Sequence, residues 1–150
     1  FAKASELGIP VLFHSGVVAF ASHYAQYGTC IYIDELASEF PELTIVIAHM
    51  GGNYHYEALV IAEKHERVHL DTAYLPFFCS RLLPRVRPID LIKRAIEFAG
   101  PDKVLYAFEG TPTSVILDSD IQPEHKKLIL WQNAKRILDL PEPEWIGADV

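Results

Sequence analysis

Four short apolar segments of this 150-residue chain are each followed by a side chain that could bind a metal ion or transfer a proton. These side chains belong to His14, His49, Asp71 and Glu109. Imidazole and carboxylate groups bind Zn²⁺, Mn²⁺ or Fe²⁺, and both act as general acids and bases. Each residue alone has a structural explanation, such as a hydrogen-bonded histidine or an aspartate that caps a loop. Their equivalent positions favour one shared site.

The apolar segments predict β-strands that alternate with helices, so the chain is assigned to the α/β class with parallel (β/α) units. In such folds, ligands bind beyond the carboxyl ends of the strands. The first, second and fourth segments are nearly continuous, which predicts strands buried on both faces. Strands are predicted at residues 9–13, 44–48, 68–70 and 104–108. Helices are predicted at 2–7, 31–40, 56–65, 89–98, 123–132 and 133–138.

The loops that follow the strands are expected to carry the site, and two of them, at residues 15–29 and 72–88, are unusually long. Gly51 and Gly52 follow His49 in a glycine turn. Such a turn lets the backbone approach a ligand or serves only to reverse the chain. We take Gly51, Gly52 and Asp71 as candidate substrate-binding residues.

The composition excludes several classes of function. The formal net charge is −7, with 13 basic and 20 acidic residues, which argues against nucleic-acid binding. No segment reaches the roughly 18 apolar residues of a membrane span. Cys30 and Cys79 have no metal-binding or redox spacing, which predicts reduced thiols and a cytoplasmic protein. A cluster of basic residues, at Arg81, Arg85 and Arg87, is interpreted as a solvated rim.

Motifs throughout residues 2–140 resemble those of the amidohydrolase-2 family, the decarboxylase-like branch of the amidohydrolase superfamily. They occur in the family's order, and together they are specific although each alone is weak. They are LGIPVLFHSG (7–16), FPEL (40–43), VIAHMGG (46–52), VHLDT (68–72), VLYAFE (104–109) and NAKRIL (133–138).

This resemblance implies the carboxyl-terminal half of a TIM-type (β/α)₈ barrel. It implies that His14 is the fifth-strand metal ligand and that His49, on the sixth strand, polarises the substrate or activates water. Glu109, on the eighth strand, would contact the metal and transfer a proton. The metal would be Zn²⁺, with Mn²⁺ or Fe²⁺ as alternatives. Reactions of the family are hydrolysis and the non-oxidative decarboxylation of aromatic or unsaturated acids.

The sequence departs from the family pattern in two ways. The paired first-strand ligands, His-x-His, do not occur in this chain. The eighth-strand carboxylate is Glu109 where the family has Asp. A catalytic site tolerates a displacement of about 0.5 Å, and the extra methylene of Glu moves the carboxylate farther than that. A degenerate site that binds no metal is therefore an alternative hypothesis. We expect a partial barrel domain at residues 1–140 and an acidic, proline-containing tail at 141–150.

Three functional hypotheses follow. The first is a metal-dependent hydrolase acting on a small organic substrate, carboxylated or cyclic, with decarboxylation as the alternative reaction. The second is an inactive half-barrel that serves as a structural or interaction module, because a half-barrel leaves strand edges open. Its expected partner is a second copy or a missing amino-terminal half, since the chain lacks an initiator Met. The weakest is a flavodoxin-like sheet binding a phosphorylated ligand, because no Gly-rich loop follows the first strand.

Overall fold

A four-stranded parallel sheet forms the centre of the computed structural model, which describes residues 1–17 and 20–141. The strands pair in chain order, β1-β2-β3-β4, and every pair is parallel. The α/β class and the parallel (β/α) units predicted from the sequence are therefore confirmed. The strands are β1 (Val11–Phe13), β2 (Ile45–Ile47), β3 (Val68–Asp71) and β4 (Val104–Leu105).

Helices follow each strand, at positions close to those predicted. Two short helices, α4 and α6, have no counterpart in the sequence prediction because four or five residues are too few to display a helical period. The helices are α1 (Ala2–Glu6), α2 (Ile31–Glu39), α3 (His55–Lys64), α4 (Leu75–Cys79), α5 (Pro88–Phe98), α6 (Ser114–Leu117), α7 (Pro123–Lys127) and α8 (Asn133–Leu138). A π-helical segment, Leu128–Gln132, joins α7 to α8, and 3₁₀ segments span Ala25–Gly28, Ala48–Tyr54 and Pro101–Lys103.

The hydrophobic core lies between the sheet and the helices. Ile45 and Ile47 point to this face because alternate residues of a strand share a side, and they pair with Val68 and Leu70 of β3. All four are at most 1% exposed. Isoleucines of α2, α3 and α5 belong to the same buried cluster, so these helices cover one face of the sheet: Ile33, Ile61 and Ile92.

The opposite face of the sheet is the inner face, and it is covered unevenly. Leu12, Val46 and His69 lie in register across β1, β2 and β3 on this face. Val46 and His69 are buried, whereas the side chain of Leu12 is 62% exposed. The prediction that the first strand is buried on both faces is therefore wrong. β1 is the edge strand of the described sheet, so no neighbouring strand covers the inner side of Leu12.

β4 is shorter than the predicted strand at residues 104–108. The Tyr106 N–H donates to the carbonyl of Ile129 at 2.8 Å, and the Ala107 N–H donates to the Thr72 hydroxyl at 3.0 Å. Because both amides bind partners outside the ladder, the strand ends at Leu105. Glu109 consequently lies in the loop beyond β4, instead of directly at the end of a strand.

Three further sequence predictions concern whole segments. Within residues 1–17 and 20–141, no helix is long and apolar enough to cross a membrane. Cys30 and Cys79 are both buried free thiols, as the reduced state predicted for them requires. The predicted acidic tail lies outside the described residues, except for Pro141.

Candidate functional site

The two histidines that follow β1 and β2 meet at the carboxyl edge of the sheet. Phe13 pairs with Ile47, so the residues after these positions emerge side by side. His14 Nδ1 lies 3.1 Å from His49 Nε2, and the two ring centroids are 5.0 Å apart. The sequence prediction that His14 and His49 come together therefore agrees with the observed geometry.

His49 begins a turn with unusual backbone geometry. Its φ is 59° and that of Met50 is 47°. Both values lie in the left-handed region, which residues other than glycine rarely adopt. Gly51 and Gly52 continue the turn with φ of 81° and 57°. The His49 N–H donates to Asp71 Oδ1 at 2.7 Å, which links the start of this turn to the end of β3.

A backbone carbonyl orients the His49 ring. Nδ1 of His49 lies 3.0 Å from the carbonyl oxygen of Ala73, which can only accept a hydrogen bond. We therefore assign the proton of neutral His49 to Nδ1 from this contact. The lone pair of Nε2 then accepts a hydrogen bond from His14 Nδ1, and His14 Nε2 carries the free lone pair of that ring.

Burial and charge alter two titratable groups of the site. Burial lowers the pKa of His14 below 6.5, and the neighbouring His49 adds to this effect, while Glu109 and Asp71 oppose it. His14 is therefore neutral at neutral pH, as a metal ligand must be. Burial also raises the pKa of Asp71, although hydrogen bonds from the His49 and Ala73 amides oppose the shift.

Asp71 is a buried residue, 5% exposed, whose carboxylate contacts the backbone of the site. Its Oδ1 accepts the His49 N–H and the Ala73 N–H, at 2.7 and 2.9 Å. From the sequence, Asp71 was predicted either to cap a loop or to bind substrate, and these contacts match the loop-capping role. Direct contact of Asp71 with substrate stays a prediction.

Glu109 lies near the histidines but at the surface. Its charge is close enough to raise the pKa values of His14 and Asp71. Its side chain is exposed, and its backbone carbonyl accepts the Tyr74 N–H. The fold thus brings the charge of Glu109 into electrostatic range of both residues without a hydrogen bond to His14 or His49 among the described contacts.

Gly51 and Gly52 are buried, and close packing explains both. A Cβ at Gly51 would lie 2.6 Å from the Ala58 Cβ, and one at Gly52 would lie 2.8 Å from the Gly16 Cα. Real Cβ atoms do not approach so closely. The tight-turn explanation therefore accounts for these glycines, and their contact with substrate also stays a prediction.

A cluster of aromatic side chains beside His49 was not predicted from the sequence. The rings of Tyr74 and Phe78 lie 6.4 and 5.5 Å from the His49 ring, centroid to centroid. Phe77 packs against Tyr74 in a tilted arrangement and against Phe78 edge to face, and the Arg81 guanidinium lies 3.5 Å from the centre of the Phe77 ring. The only available signal was the aromatic pair within the long loop at 72–88, because the helix α4 that orders it is too short to predict.

His14 borders open space on two sides. One cavity, of about 570 Å³, lies between the end of β1 and α2 and is lined by aromatic residues that include Phe13, Tyr27 and Phe40. A smaller one, of about 260 Å³, lies between His14, Gly16 and the segment around His23. The lower volume range of small-molecule sites in proteins is about 300 Å³. A small ligand could therefore reach His14.

The donors present fit part of a metal site. His14 offers the lone pair of Nε2, and Glu109 offers an exposed carboxylate nearby. Catalytic zinc sites use three protein ligands. Among residues 1–17 and 20–141, no group of three or more His, Cys, Asp or Glu side chains could hold a metal ion. His14 and Glu109 would therefore need further ligands from elsewhere.

Comparison with known proteins relates this site to a family. The model of a family described as amidohydrolase, of the amidohydrolase-2 type, matches residues 1–140. No curated protein matches the chain. A solved TIM-barrel protein of uncharacterized function from Bordetella bronchiseptica is 25% identical, with a TM-score of 0.72 over 92% of this chain and 48% of that one.

Two further solved structures have assigned activities. The 4-oxalomesaconate hydratase of Rhodopseudomonas palustris is 28% identical, with a TM-score of 0.59 over 92% of this chain and 49% of that one. The 5-carboxyvanillate decarboxylase of Sphingomonas paucimobilis is 16% identical, with a TM-score of 0.63 over 91% and 51%, and supports the fold alone. The chain spans about half the length of the solved structures it matches.

Proposed function

This chain belongs to the amidohydrolase-2 family, and from that premise we propose that it carries the carboxyl-terminal half of the active site of a metal-dependent hydrolase. The proposed substrate is a small carboxylated or cyclic molecule. The observation that carries the proposal is the contact of His14 Nδ1 with His49 Nε2, 3.1 Å apart at the carboxyl ends of adjacent parallel strands. That edge is where barrel enzymes hold their reacting groups.

Members of this family are typically metal-dependent, and we propose that His14 and Glu109 hold the ion. The neutral state of His14 and the free lone pair of its Nε2 support this assignment. When bound, a divalent ion such as Zn²⁺ would lower the pKa of a water molecule or polarise a substrate oxygen. The remaining ligands would come from the amino-terminal half of a barrel.

His49 is proposed as the general base. The Ala73 carbonyl holds its Nδ1–H, so the lone pair lies on Nε2. This atom would accept a proton from water once water replaces the His14 Nδ1–H as its hydrogen-bond donor. Glu109, exposed beyond β4, would release or take up the second proton of the reaction. The rings of Tyr74 and Phe78 beside His49 would limit the access of bulk water.

The aromatic group next to His49 supports a cyclic, carboxylated substrate. The ring of Tyr74, which is 40% exposed, offers a surface on which a planar substrate can stack. The Arg81 guanidinium, held over Phe77 at 3.5 Å, presents hydrogen-bond donors that suit a carboxylate. In this proposal Arg81 is more than the solvated rim residue expected from the sequence.

Decarboxylation is the second candidate reaction, and the same aromatic surface favours it. Some of the solved structures similar to this chain are decarboxylases of aromatic acids, including the 5-carboxyvanillate and 2,6-dihydroxybenzoate enzymes. In this reaction the C–C bond to the carboxylate breaks, CO₂ leaves, and the ring carbon takes up a proton. Protonated His49 would supply that proton, so the same residues serve either reaction.

The metal assignment can be tested by equilibrium dialysis against Zn²⁺ followed by elemental analysis. Because this chain supplies only part of the ligand set, we expect the wild type to bind zinc weakly. We expect His14→Ala to bind at least about tenfold more weakly still, because the change removes a ligand. His125→Ala, on α7, is the matched control and should bind as the wild type does. Zinc binding by His14→Ala equal to that of the wild type would contradict the proposal.

We also propose that the inner face is covered by another half-barrel, which for this chain alone is a second copy. Leu12 is 62% exposed on that face, and β1 is the edge strand of the described sheet. At the same edge, on the helix-covered side of β1, a cavity adds apolar surface from Phe1, Phe13 and Phe40. An exposed strand edge beside apolar side chains favours association.

A further inference from the structure

We propose that Asp71 is a positioning residue that holds His49 in its left-handed turn and selects the Nδ1–H tautomer of its ring. It acts on the main chain of His49 directly and on the ring through Ala73. This role gains its catalytic meaning from the proposed function, in which His49 Nε2 accepts a proton. The arrangement itself depends only on the contacts of three residues.

The main-chain contact is the first part of the argument. His49 has φ 59° and ψ 25°, a conformation that a side chain with a Cβ rarely adopts unless surrounding contacts enforce it. Its N–H donates to Asp71 Oδ1 at 2.7 Å. Asp71 thereby stabilises the backbone geometry at His49 from which the ring extends toward His14.

The ring contact is the second part. Asp71 Oδ1 also accepts the Ala73 N–H at 2.9 Å, which closes a tight turn after β3. That turn directs the Ala73 carbonyl to His49 Nδ1 at 3.0 Å. Since a carbonyl cannot donate, the neutral ring carries its proton on Nδ1 and leaves the Nε2 lone pair facing His14. One carboxylate oxygen thus fixes both the main-chain amide of His49 and, through Ala73, its ring.

Burial makes this arrangement specific to Asp71. The residue is 5% exposed, and Ala73 is also buried at 5%. Water therefore cannot easily replace Oδ1 as the acceptor of the two amides. An Asn side chain at this position retains an oxygen in the same place, whereas Ala leaves both N–H groups without it. The two substitutions therefore separate the effect of the acceptor from that of the charge.

The test is a long-range ¹H–¹⁵N correlation spectrum of the histidine rings in the ¹⁵N-labelled chain, at a pH where the imidazoles are neutral. The two tautomers give different ¹⁵N shifts for Nδ1 and Nε2. We expect His49 to be the Nδ1–H tautomer in the wild type and in Asp71→Asn. In Asp71→Ala we expect the Nδ1–H population to fall at least about twofold, because the Ala73 carbonyl is released.

Several outcomes would overturn the proposal. An Nε2–H tautomer of His49 in the wild type would do so, as would its appearance in Asp71→Asn or an unchanged His49 spectrum in folded Asp71→Ala. If Asp71→Ala does not fold, the wild type and Asp71→Asn still decide. Asp118→Ala, at an exposed aspartate that ends α6, is the control and should leave the His49 tautomer unchanged. The measurement needs no metal, so a failure of zinc binding leaves it interpretable.

Discussion

At the scale of single residues, His69 is a buried titratable group outside the proposed chemistry. It lies on the inner face of β3 and is 3% exposed. Its Nδ1 has no hydrogen-bond partner among the described residues. Burial lowers the pKa of His69 from 6.5 to about 4, and the charges of Lys103 and Arg136 add to the shift. The folded chain therefore keeps His69 neutral, which links its stability to pH.

We predict that His69 makes the chain less stable in mild acid. In the unfolded state His69 takes up a proton near its ordinary pKa of 6.5, whereas the folded state does so only near 4. Because the unfolded state binds more protons between these values, the free energy of unfolding falls as pH decreases through this window. From about pH 7 to about pH 5, His69 accounts for a loss of about 2 kcal/mol.

Urea unfolding at the two pH values checks this prediction. His69→Gln, which cannot titrate, should reduce the pH-dependent loss by about 2 kcal/mol relative to the wild type. His125→Gln, on α7, serves as the control and should retain nearly all of the loss. An equal pH dependence of the wild type and His69→Gln would show that His69 titrates normally in the folded chain.

At the scale of elements, the turn after β2 determines where His49 lies. Four consecutive residues, from His49 to Gly52, have positive φ. Besides its positive φ, close packing also requires glycine at position 52, where the turn ends. Gly52 packs against the Gly16 backbone and the Phe78 ring. The turn therefore joins the loops after β1 and β2 to α4, and a side chain at Gly52 would force them apart.

We predict that Gly52→Ala is much more destabilising than Gly8→Ala. Both glycines have positive φ, 57° and 64°, so both variants incur backbone strain of at least about 1 kcal/mol. The ψ of Gly52, −115°, lies outside the left-handed helical region, so the strain is larger there. A Cβ at Gly8 meets nothing within 4 Å, whereas one at Gly52 would lie 2.8 Å from the Gly16 Cα. The clash adds about 1–3 kcal/mol. Urea denaturation measures both variants, and equal losses would mean that the loops at Gly52 relax without cost.

At the scale of the whole molecule, the chain is an open half of a barrel. Helices cover the outer face of the sheet, and the inner face ends at β1 with Leu12 exposed. The opposite edge is partly occupied, because the Ile129 carbonyl accepts the Tyr106 N–H beyond β4. Association is therefore expected at the β1 side.

We predict that the chain forms dimers through this side. Burying Leu12 is worth about 2 kcal/mol, so Leu12→Glu should weaken association at least about tenfold. Sedimentation equilibrium measures the change. Leu138→Glu, at a similarly exposed leucine that ends α8, is the control and should associate as the wild type does. A wild-type chain that sediments as a clean monomer at high concentration would contradict the pairing.

The sequence by itself determined the order and type of the main elements. Apolar runs that alternate with helical patterns favour parallel strands, because a helical crossover returns the chain to the same end of the sheet. The polar residues at the ends of these runs also indicated a common edge, and His14 and His49 do meet there. These features depend on local pattern and topology, which a sequence displays directly.

Tertiary structure alone decided the geometry within the site. The tautomer of His49 depends on the Ala73 carbonyl, which lies 24 residues along the chain and reaches the ring only through the register of β2 and β3. The early end of β4, which leaves Glu109 in an exposed loop, depends on a carbonyl of the π-helical segment. Hydrogen-bond partners of this kind are set by how separate elements pack together, and no local pattern of residues encodes them.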